Sequence, residues 1–169
     1  MPFSVKVKVI LPKKLFSDIH VQTAIARKQR EVTAPDVLRM FYDTTEGWET
    51  DITFKSKQIM NTRRIAMQVF PYGHGKKVYS IVNFGSPAHT ITAKRPSRML
   101  KFQTGYRSAT RPGQLMSSPK RRFGKSISTY TVNHPGFEAR LFDEFIADQY
   151  APKFKEDMET AVAEAITHR

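Results

Sequence analysis

The chain combines 169 residues with a formal net charge of +13, and none of its residues is Cys. It contains no apolar run of about 18 residues, so the sequence excludes a membrane-spanning helix, and the lack of Cys excludes disulfides and thiolate metal sites. The N-terminal residues lack the apolar stretch of a signal peptide, and we expect a single domain over residues 1–169 that is made in a cytoplasm.

The first third of the chain predicts a short strand followed by two helices. Alternating Val and Lys over residues 5–9 favour a strand with one buried face. A helix is predicted over residues 17–31 with Ser17 as its N-cap. Thr33 resembles the first residue of a capping box, which predicts a second helix that ends near Gly47.

The middle of the chain predicts mostly β-structure. A strand begins at residue 52, and residues 65–69 and 78–84 are predicted to form a hairpin around a turn at residues 71–75. The order of strand, helices, antiparallel strands and terminal helix predicts an α+β fold. Three further short strands are predicted at residues 89–93, 99–102 and 127–132.

A long loop and a long helix complete the prediction. Residues 104–125 show no periodicity and are rich in Gly, Pro, Ser and basic side chains, which predicts a mobile loop. Residues 137–168 predict a terminal helix whose apolar stripe begins with Phe137, Leu141 and Phe145. Because a proline inside a helix removes one hydrogen bond, we expect this helix to be kinked or broken near residue 152.

No set of side chains in the sequence predicts catalysis. No two of the five His have the spacing of a metal-binding pair, and no acidic residue lies near His74 or His89 in the sequence. Residues 73–77 (GHGKK) resemble a phosphate loop, but they lack the GxxxxGK[ST] spacing and a following helix, which favours a hairpin turn. We therefore expect no metal, no cofactor and no enzymatic activity.

The positive charge is concentrated in the middle of the chain. Residues 52–137 hold 16 basic side chains and no Asp or Glu, whereas residues 138–169 hold 4 basic and 8 acidic ones. A segment of one sign repels itself, so we expect a partner: a nucleic acid, or the acidic C-terminal helix of a neighbouring copy. The candidate contacts in the loop are Arg107, Arg111, Lys120, Arg121, Arg122 and Lys125.

Two segments carry a resemblance to a known family. Residues 82–94 (VNFGSPAHTITAK), followed by Met99-Leu100-Lys101-Phe102, are similar to a "VN-x-GT-x-PH-x-I-x-PK … L-x-F" pattern. Residues 132–140 (VNHPGFEAR) are similar to a "V-x-HPG-x-x-AR-x-F" pattern. Both patterns are typical of the tail-completion proteins of long-tailed bacteriophages, the minor tail protein Z-like family. The motif residues are Gly85, Pro87, His89, His134, Pro135 and Gly136, and from the residues themselves we expect both His to bond loop carbonyls at two chain corners.

The resemblance implies a structural protein of a phage virion, assembled in the host cytoplasm. It implies a ring of identical copies, expected to be a hexamer, at the neck or head-proximal end of the tail, around the channel for phage DNA. Its expected neighbours are the tail terminator or tail tube and the head-completion or connector proteins. Two alternatives stay open: the tail terminator itself, and a free basic nucleic-acid-binding protein.

Overall fold

A computed structural model describes residues 5–8, 18–61, 64–95, 97–103 and 124–167, with only the backbone for residues 5–8 and 103. In chain order the elements are β1 (Val5–Lys8), α1 (Ile19–Lys28), a π-helical turn (Gln29–Thr33), α2 (Ala34–Thr45), β2 (Thr53–Asn61), β3 (Arg64–Tyr72), α3 (Lys76–Phe84), β4 (His89–Thr92), β5 (Leu100–Gln103), β6 (Ser126–Thr129), β7 (Thr131–His134) and α4 (Phe142–Thr167). The predicted α+β fold is confirmed, with N-terminal helices, antiparallel sheets and a long C-terminal helix.

The two N-terminal helices follow each other without a break. Asp18 caps α1, because its carboxylate accepts hydrogen bonds from the backbone N–H groups of His20 and Val21. The predicted cap, Ser17, lies outside the described residues. The prediction of a capping box at Thr33 is wrong: Thr33 has helical dihedral angles and makes no side-chain cap bond. The π-helical turn connects α1 to α2, so no free helix N-terminus exists there to be capped.

The central sheet has three strands in the order β1-β3-β2, and both pairings are antiparallel. In the middle strand, β3, the predicted core residues Ile65, Met67 and Val69 are buried, but Ala66 is buried as well, so the predicted alternation holds only in part. Helices α1, α2 and α4 pack with this sheet around one hydrophobic core that includes Phe41 and Phe142.

The predicted strand at residues 78–84 is wrong, because these residues belong to helix α3. Tyr79 and Asn83 lie four positions apart on the buried side of the helix, while Val78 and Ile81 are exposed. A short apolar run satisfies both the strand and the helix period, so the sequence alone did not separate them. The actual hairpin is β2–β3, and the turn after residue 72 joins β3 to α3.

The long helix α4 begins at Phe142, five residues after the predicted start, and continues through Pro152 to Thr167. The expected break near residue 152 is therefore wrong, while the prediction of a kink is not tested. The buried stripe differs from the predicted one at its start: Phe137 precedes the helix, and Leu141 is exposed with a positive φ of 53°. The residues that face the core are Phe142, Ile146, Tyr150, Phe154, Met158 and Ala161.

The remaining strands form a two-stranded arm rather than part of the central sheet. β4 pairs antiparallel with β7, and β5 pairs antiparallel with β6. The chain therefore runs out along β4 and β5 and returns along β6 and β7. The single strand predicted at residues 127–132 is divided into β6 and β7 by a bend at Tyr130, where Thr129 bonds the backbone of Thr131. We call residues 89–103 and 124–134 the arm.

Candidate functional site

The two sequence segments that carry the family resemblance meet at the base of the arm. The Ser86 N–H donates to the Phe137 carbonyl at 3.0 Å, and the Phe137 N–H donates back to the Ser86 carbonyl at 2.9 Å. β4 and β7 continue this contact, because His89 is paired with His134 in their register. We call this region, residues 83–89 and 134–142, the junction.

Two glycines allow the junction chains to approach each other. Gly85 and Gly136 both have positive φ, at 74° and 80°. A Cβ on Gly85 would meet the Ala139 nitrogen and the Phe137 oxygen at 2.7 Å, and a Cβ on Gly136 would collide with the Ser86 oxygen. Both positions therefore require glycine for conformation and for space.

The two predicted histidines stack on each other across β4 and β7. Their ring centroids lie 5.1 Å apart with an angle of 28° between the ring planes. His89 Nδ1 lies 2.9 Å from the Pro87 carbonyl oxygen, which matches the expected bond to a loop carbonyl. His134 does the opposite, because its Nδ1 accepts from the Gly136 N–H at 3.0 Å. Both side chains therefore stabilise the loops next to them, and the structure brings the six predicted motif residues into this one region.

Asn83 connects the junction to helix α4, and sequence reasoning did not select it as a site residue. Its side chain is fully buried; its Oδ1 accepts from the Phe142 N–H at 2.6 Å, and its Nδ2 donates to Asp143 Oδ1 at 2.7 Å. Its backbone carbonyl accepts from the N–H groups of Arg140 and Leu141. Asn83 thus caps a helix that begins 59 positions later in the chain. The sequence signal for this role is the position of Asn83 inside the first motif, two residues before Gly85.

A tyrosine lies beneath the junction in an aromatic cluster. The Tyr79 ring lies 5.2 Å from Phe54, 6.0 Å from Phe41 and 6.2 Å from Phe142, measured between centroids. Its hydroxyl is buried, and no hydrogen-bond partner for it exists among the described residues. Burial, and secondarily the charge of Asp143, raises the pKa of Tyr79 well above its ordinary value. This phenol therefore stays protonated and acts as a packing group.

Most of the predicted basic contacts fall outside the described residues. Of the six, only Lys125 is described, and it is exposed at the start of the returning chain. Other exposed basic side chains follow the arm: Lys94, Arg95, Arg98 and Lys101. Residues 89–134 contain no Asp or Glu, so these cations cannot form an ion pair with any residue of that segment. Arg107, Arg111, Lys120, Arg121 and Arg122 have no described position.

The acidic side chains lie on other parts of the molecule. Helix α4 contains seven acidic residues and two lysines, a net charge of −5. Some are paired within the molecule: Asp157 lies 3.8 Å from Lys28, and Lys153 bonds to Asp36 on α2. Hydrogen bonding to Asp36 raises the pKa of the exposed Lys153. The charges of this helix therefore partly serve the contact between α4 and the N-terminal helices.

One open cavity of about 500 Å³ lies at the end of α2, next to the loop that leads into β2. Tyr42, Trp48 and Ile52 form its apolar wall, and Asp43, Glu46 and Asp51 are its carboxylates. In the described ranges, His, Asp and Glu nowhere form a group of three that could hold a metal ion. None of the described helices combines the length and apolar character that crossing a bilayer requires.

Comparisons with protein-family models, curated proteins and solved structures found no match to this chain. The function is therefore argued from the junction, the arm and the charges themselves, together with the motif resemblance.

Proposed function

We propose that this protein is a structural component of a tailed bacteriophage virion. It forms a ring at the neck or head-proximal end of the tail, completes the tail and supports head–tail joining around the DNA channel. Its role in this proposal is assembly rather than catalysis, with head-completion or connector proteins on one side and the tail terminator or tube on the other.

The observation that supports the proposal is the junction. The two segments with tail-completion-like patterns are about 40 residues apart in the chain, yet their backbones bond directly through Ser86 and Phe137. Asn83 and the histidines then fix the start of α4 and the base of the arm. The shared motif residues therefore hold the arm on the body, by which we mean the described residues outside the arm. An assembly protein needs such a projecting element in order to reach a neighbour.

The charge distribution supports a ring of identical copies. Residues 89–134 carry basic side chains and no acidic ones, while α4 has a net charge of −5. When one chain presents two different complementary surfaces, copies associate head to tail, and such contacts close into a ring if the rotation permits. The expected ring is a hexamer, to match the sixfold symmetry of a tail.

The test is to produce phage particles without this protein and image them by electron microscopy. We expect filled heads and tails that remain unjoined, and joining restored by a wild-type copy supplied in trans. Normal, infectious particles without the protein would refute the proposal. Labelling the protein in intact particles distinguishes completion from the alternative of a tail terminator, because the terminator lies directly on the last ring of the tail tube.

A further inference from the structure

Each strand pair of the arm carries exposed apolar side chains that no described element covers, and we call these side chains together the apolar face of the arm. Ile91 lies opposite Val132, and Phe102 lies opposite Ile127, so each strand pair places its apolar residues on one face. Ile91, Phe102 and Ile127 are 37%, 36% and 39% exposed, and no arm residue belongs to the hydrophobic core. The extensive contacts of the arm strands are with each other.

Such an arm needs a partner surface to be stable. A two-stranded ribbon in water is marginally stable, and its outer edges leave backbone N–H and C=O groups unpaired. The opposite face of the β4–β7 pair is polar, with Thr90 bonded to Asn133 at 3.0 Å. Each strand pair of the arm is thus amphipathic: one of its faces is polar and the other carries a pair of apolar side chains.

A basic turn interrupts the outgoing side of the arm. Residues 93–99 lie between β4 and β5, whereas Tyr130 alone separates β6 from β7, so the outgoing chain bulges away from the ladder. The Arg98 N–H donates to the Arg95 carbonyl, which closes this bulge as a turn. Lys94, Arg95 and Arg98 are all exposed there. The turn therefore presents three positive charges beside the apolar face.

The same molecule carries a surface of complementary character. The cavity described above combines the rings of Tyr42 and Trp48 with the carboxylates of Asp43, Glu46 and Asp51. Trp48 also contacts Phe142 at the start of α4, with 6.1 Å between ring centroids, so the cavity wall is packed on the core. We call this surface (Asp43, Glu46, Trp48 and Asp51) the acidic end.

We propose that the arm of one copy docks on the acidic end of a second copy. The basic turn lies against the carboxylates and the ring of Trp48, and the apolar face of the arm covers the adjoining surface. This inference deepens the proposed ring and depends on it. It identifies the contact as head to tail, because the arm and the acidic end are different surfaces of the chain.

The apolar face is the reason to favour a protein partner over a nucleic acid. Basic side chains serve either partner, and a two-stranded ribbon fits a DNA major groove. Ile91, Phe102 and Ile127 gain little from phosphates, but they gain hydrophobic free energy when a protein surface removes them from water. Exposed apolar groups flanked by basic ones are typical of protein–protein contacts.

Cross-linking tests the contact directly, because the chain has no Cys of its own. Two single-Cys variants of the full chain, Ser97→Cys in the basic turn and Glu46→Cys in the acidic end, are mixed and treated with a short bis-maleimide. The control replaces the second variant by Thr167→Cys, which lies at the far end of α4, about 38 Å along the helix from Phe142. We expect at least a tenfold higher yield of mixed dimer with Glu46→Cys. Equal yields from the two mixtures would overturn the proposal.

A charge exchange tests the same contact in solution. One variant carries Lys94→Glu, Arg95→Glu and Arg98→Glu, and the other carries Asp43→Lys, Glu46→Lys and Asp51→Lys. Light scattering with size-exclusion chromatography is expected to show that each variant alone loses self-association and that an equimolar mixture forms assemblies in which the two variants alternate. A mixture that stays monomeric, while circular dichroism shows both variants folded, would contradict the proposal.

The apolar face requires its own variant and control. Phe102→Ser with Ile127→Ser is expected to weaken self-association at least tenfold without lowering the Tm of the body. Ile166→Ser, at a residue outside the arm that is 46% exposed, should leave self-association unchanged. If the control and the arm variant weaken self-association equally, the arm is not the docking element.

Two further outcomes separate this inference from the proposed function. A chain that stays monomeric, binds duplex DNA through the arm and still occurs in virions overturns the docking inference but leaves the virion role intact. A chain that self-associates through the arm but is absent from virions supports the contact and refutes the virion role.

Addition of salt should weaken docking, since the charges at the contact lie at the surface.

Discussion

Asn83 shows how one side chain connects distant parts of this protein. It lies in α3, bonds the first residues of α4, and accepts backbone bonds from the segment that leaves the arm. An asparagine can do this because its amide offers donors and acceptors on one short side chain. Because Asn83 is buried, any of these polar groups left without a protein partner would also lack a bond to water, which would lower the stability of the fold.

Replacement of Asn83 by Ala should destabilise the protein by about 2–4 kcal/mol, because it removes the cap of α4 and leaves the buried Phe142 N–H without a partner. Urea unfolding monitored by circular dichroism measures the change in the free energy of unfolding. Asn133→Ala is the matched control: Asn133 is exposed and bonds only to Thr90 in the described structure, so we expect a loss of about 0.5 kcal/mol or less. Equal effects would contradict the role given to Asn83.

Gly136→Ala separates the cost of a close approach from the cost of a positive φ. Gly136 and Gly47 have φ of 80° and 77°, but a Cβ on Gly47 would have no atom within 4 Å. Both substitutions should cost about 1–2 kcal/mol for conformation, and Gly136→Ala should cost about 2 kcal/mol more because the Ser86 carbonyl must move. Thermal unfolding of both variants checks this, and a smaller loss at Gly136 than at Gly47 would refute the packed junction.

Tyr79 predicts a loss of stability at alkaline pH. Its folded pKa is raised above the ordinary value of 10.0 by burial, so the stability tied to its protonated form is intact below that pH. Above it the unfolded state ionises while the folded state does not, and stability falls by up to about 1.4 kcal/mol per pH unit. Burial raises the pKa of Tyr150 in the same direction.

Tyr79→Phe should reduce this alkaline slope and should stabilise the protein by about 1 kcal/mol at neutral pH, because the lost hydroxyl has no described partner. Urea unfolding at pH 7 to 11 measures both effects. The exposed Tyr130 supplies the control, Tyr130→Phe, which should leave the slope unchanged. If the free energy of unfolding of Tyr79→Phe fell more steeply with pH than that of the wild type, Tyr79 would not be the source of the alkaline loss of stability.

At the scale of elements, helix α4 forms in spite of an unfavourable residue. Pro152 removes one backbone hydrogen bond, but the apolar stripe from Phe142 to Ala161 continues on both sides of it and packs into one core. The propensity of a single residue is therefore outweighed by burial along the helix. The sequence correctly predicted a long helix here, and of the two outcomes expected near residue 152 only the break is wrong.

Pro152→Ala should stabilise the protein by about 1–3 kcal/mol, because alanine restores the helical N–H and removes the clash with the preceding turn. Pro152→Gly restores the same N–H without the helix propensity of Ala, and it should be about 1 kcal/mol less stable than Pro152→Ala. Guanidinium unfolding orders the three proteins. If the wild type is the most stable, a contact of the Pro152 ring outweighs the lost hydrogen bond, and the prediction is wrong.

At the scale of the whole molecule, the body and the arm are separate in energetic terms. The body contains every residue of the hydrophobic core, whereas the arm strands are largely exposed. Selection for a stable monomer gives no reason to maintain an exposed apolar face. The exposed apolar residues of the arm therefore favour a function in which the arm contacts another molecule.

Replacement of residues 91–132 by a short Gly-Ser linker should leave the body folded. We expect a Tm within about 5 °C of the full chain and a single cooperative transition in calorimetry, because about 1 kcal/mol shifts a small domain by that amount. Self-association and assembly into virions should be lost. A truncation after Asp157 is the control: it removes Met158 and Ala161 from the core and should abolish the transition. A body that fails to fold without the arm would contradict this division.

The sequence by itself determined the distribution of charge, the α+β order of elements, the strand at residues 65–69 and the presence of a long terminal helix. These features depend on composition or on long periodic patterns, which local residues specify without reference to partners. The assignment of residues 76–84 as helix, the start of α4 and the division of the last strand depended on the tertiary structure. Short apolar runs fit more than one element, and contacts with distant residues such as Asn83 and Ser86 decide between them, because a buried backbone group takes the conformation in which it finds a partner.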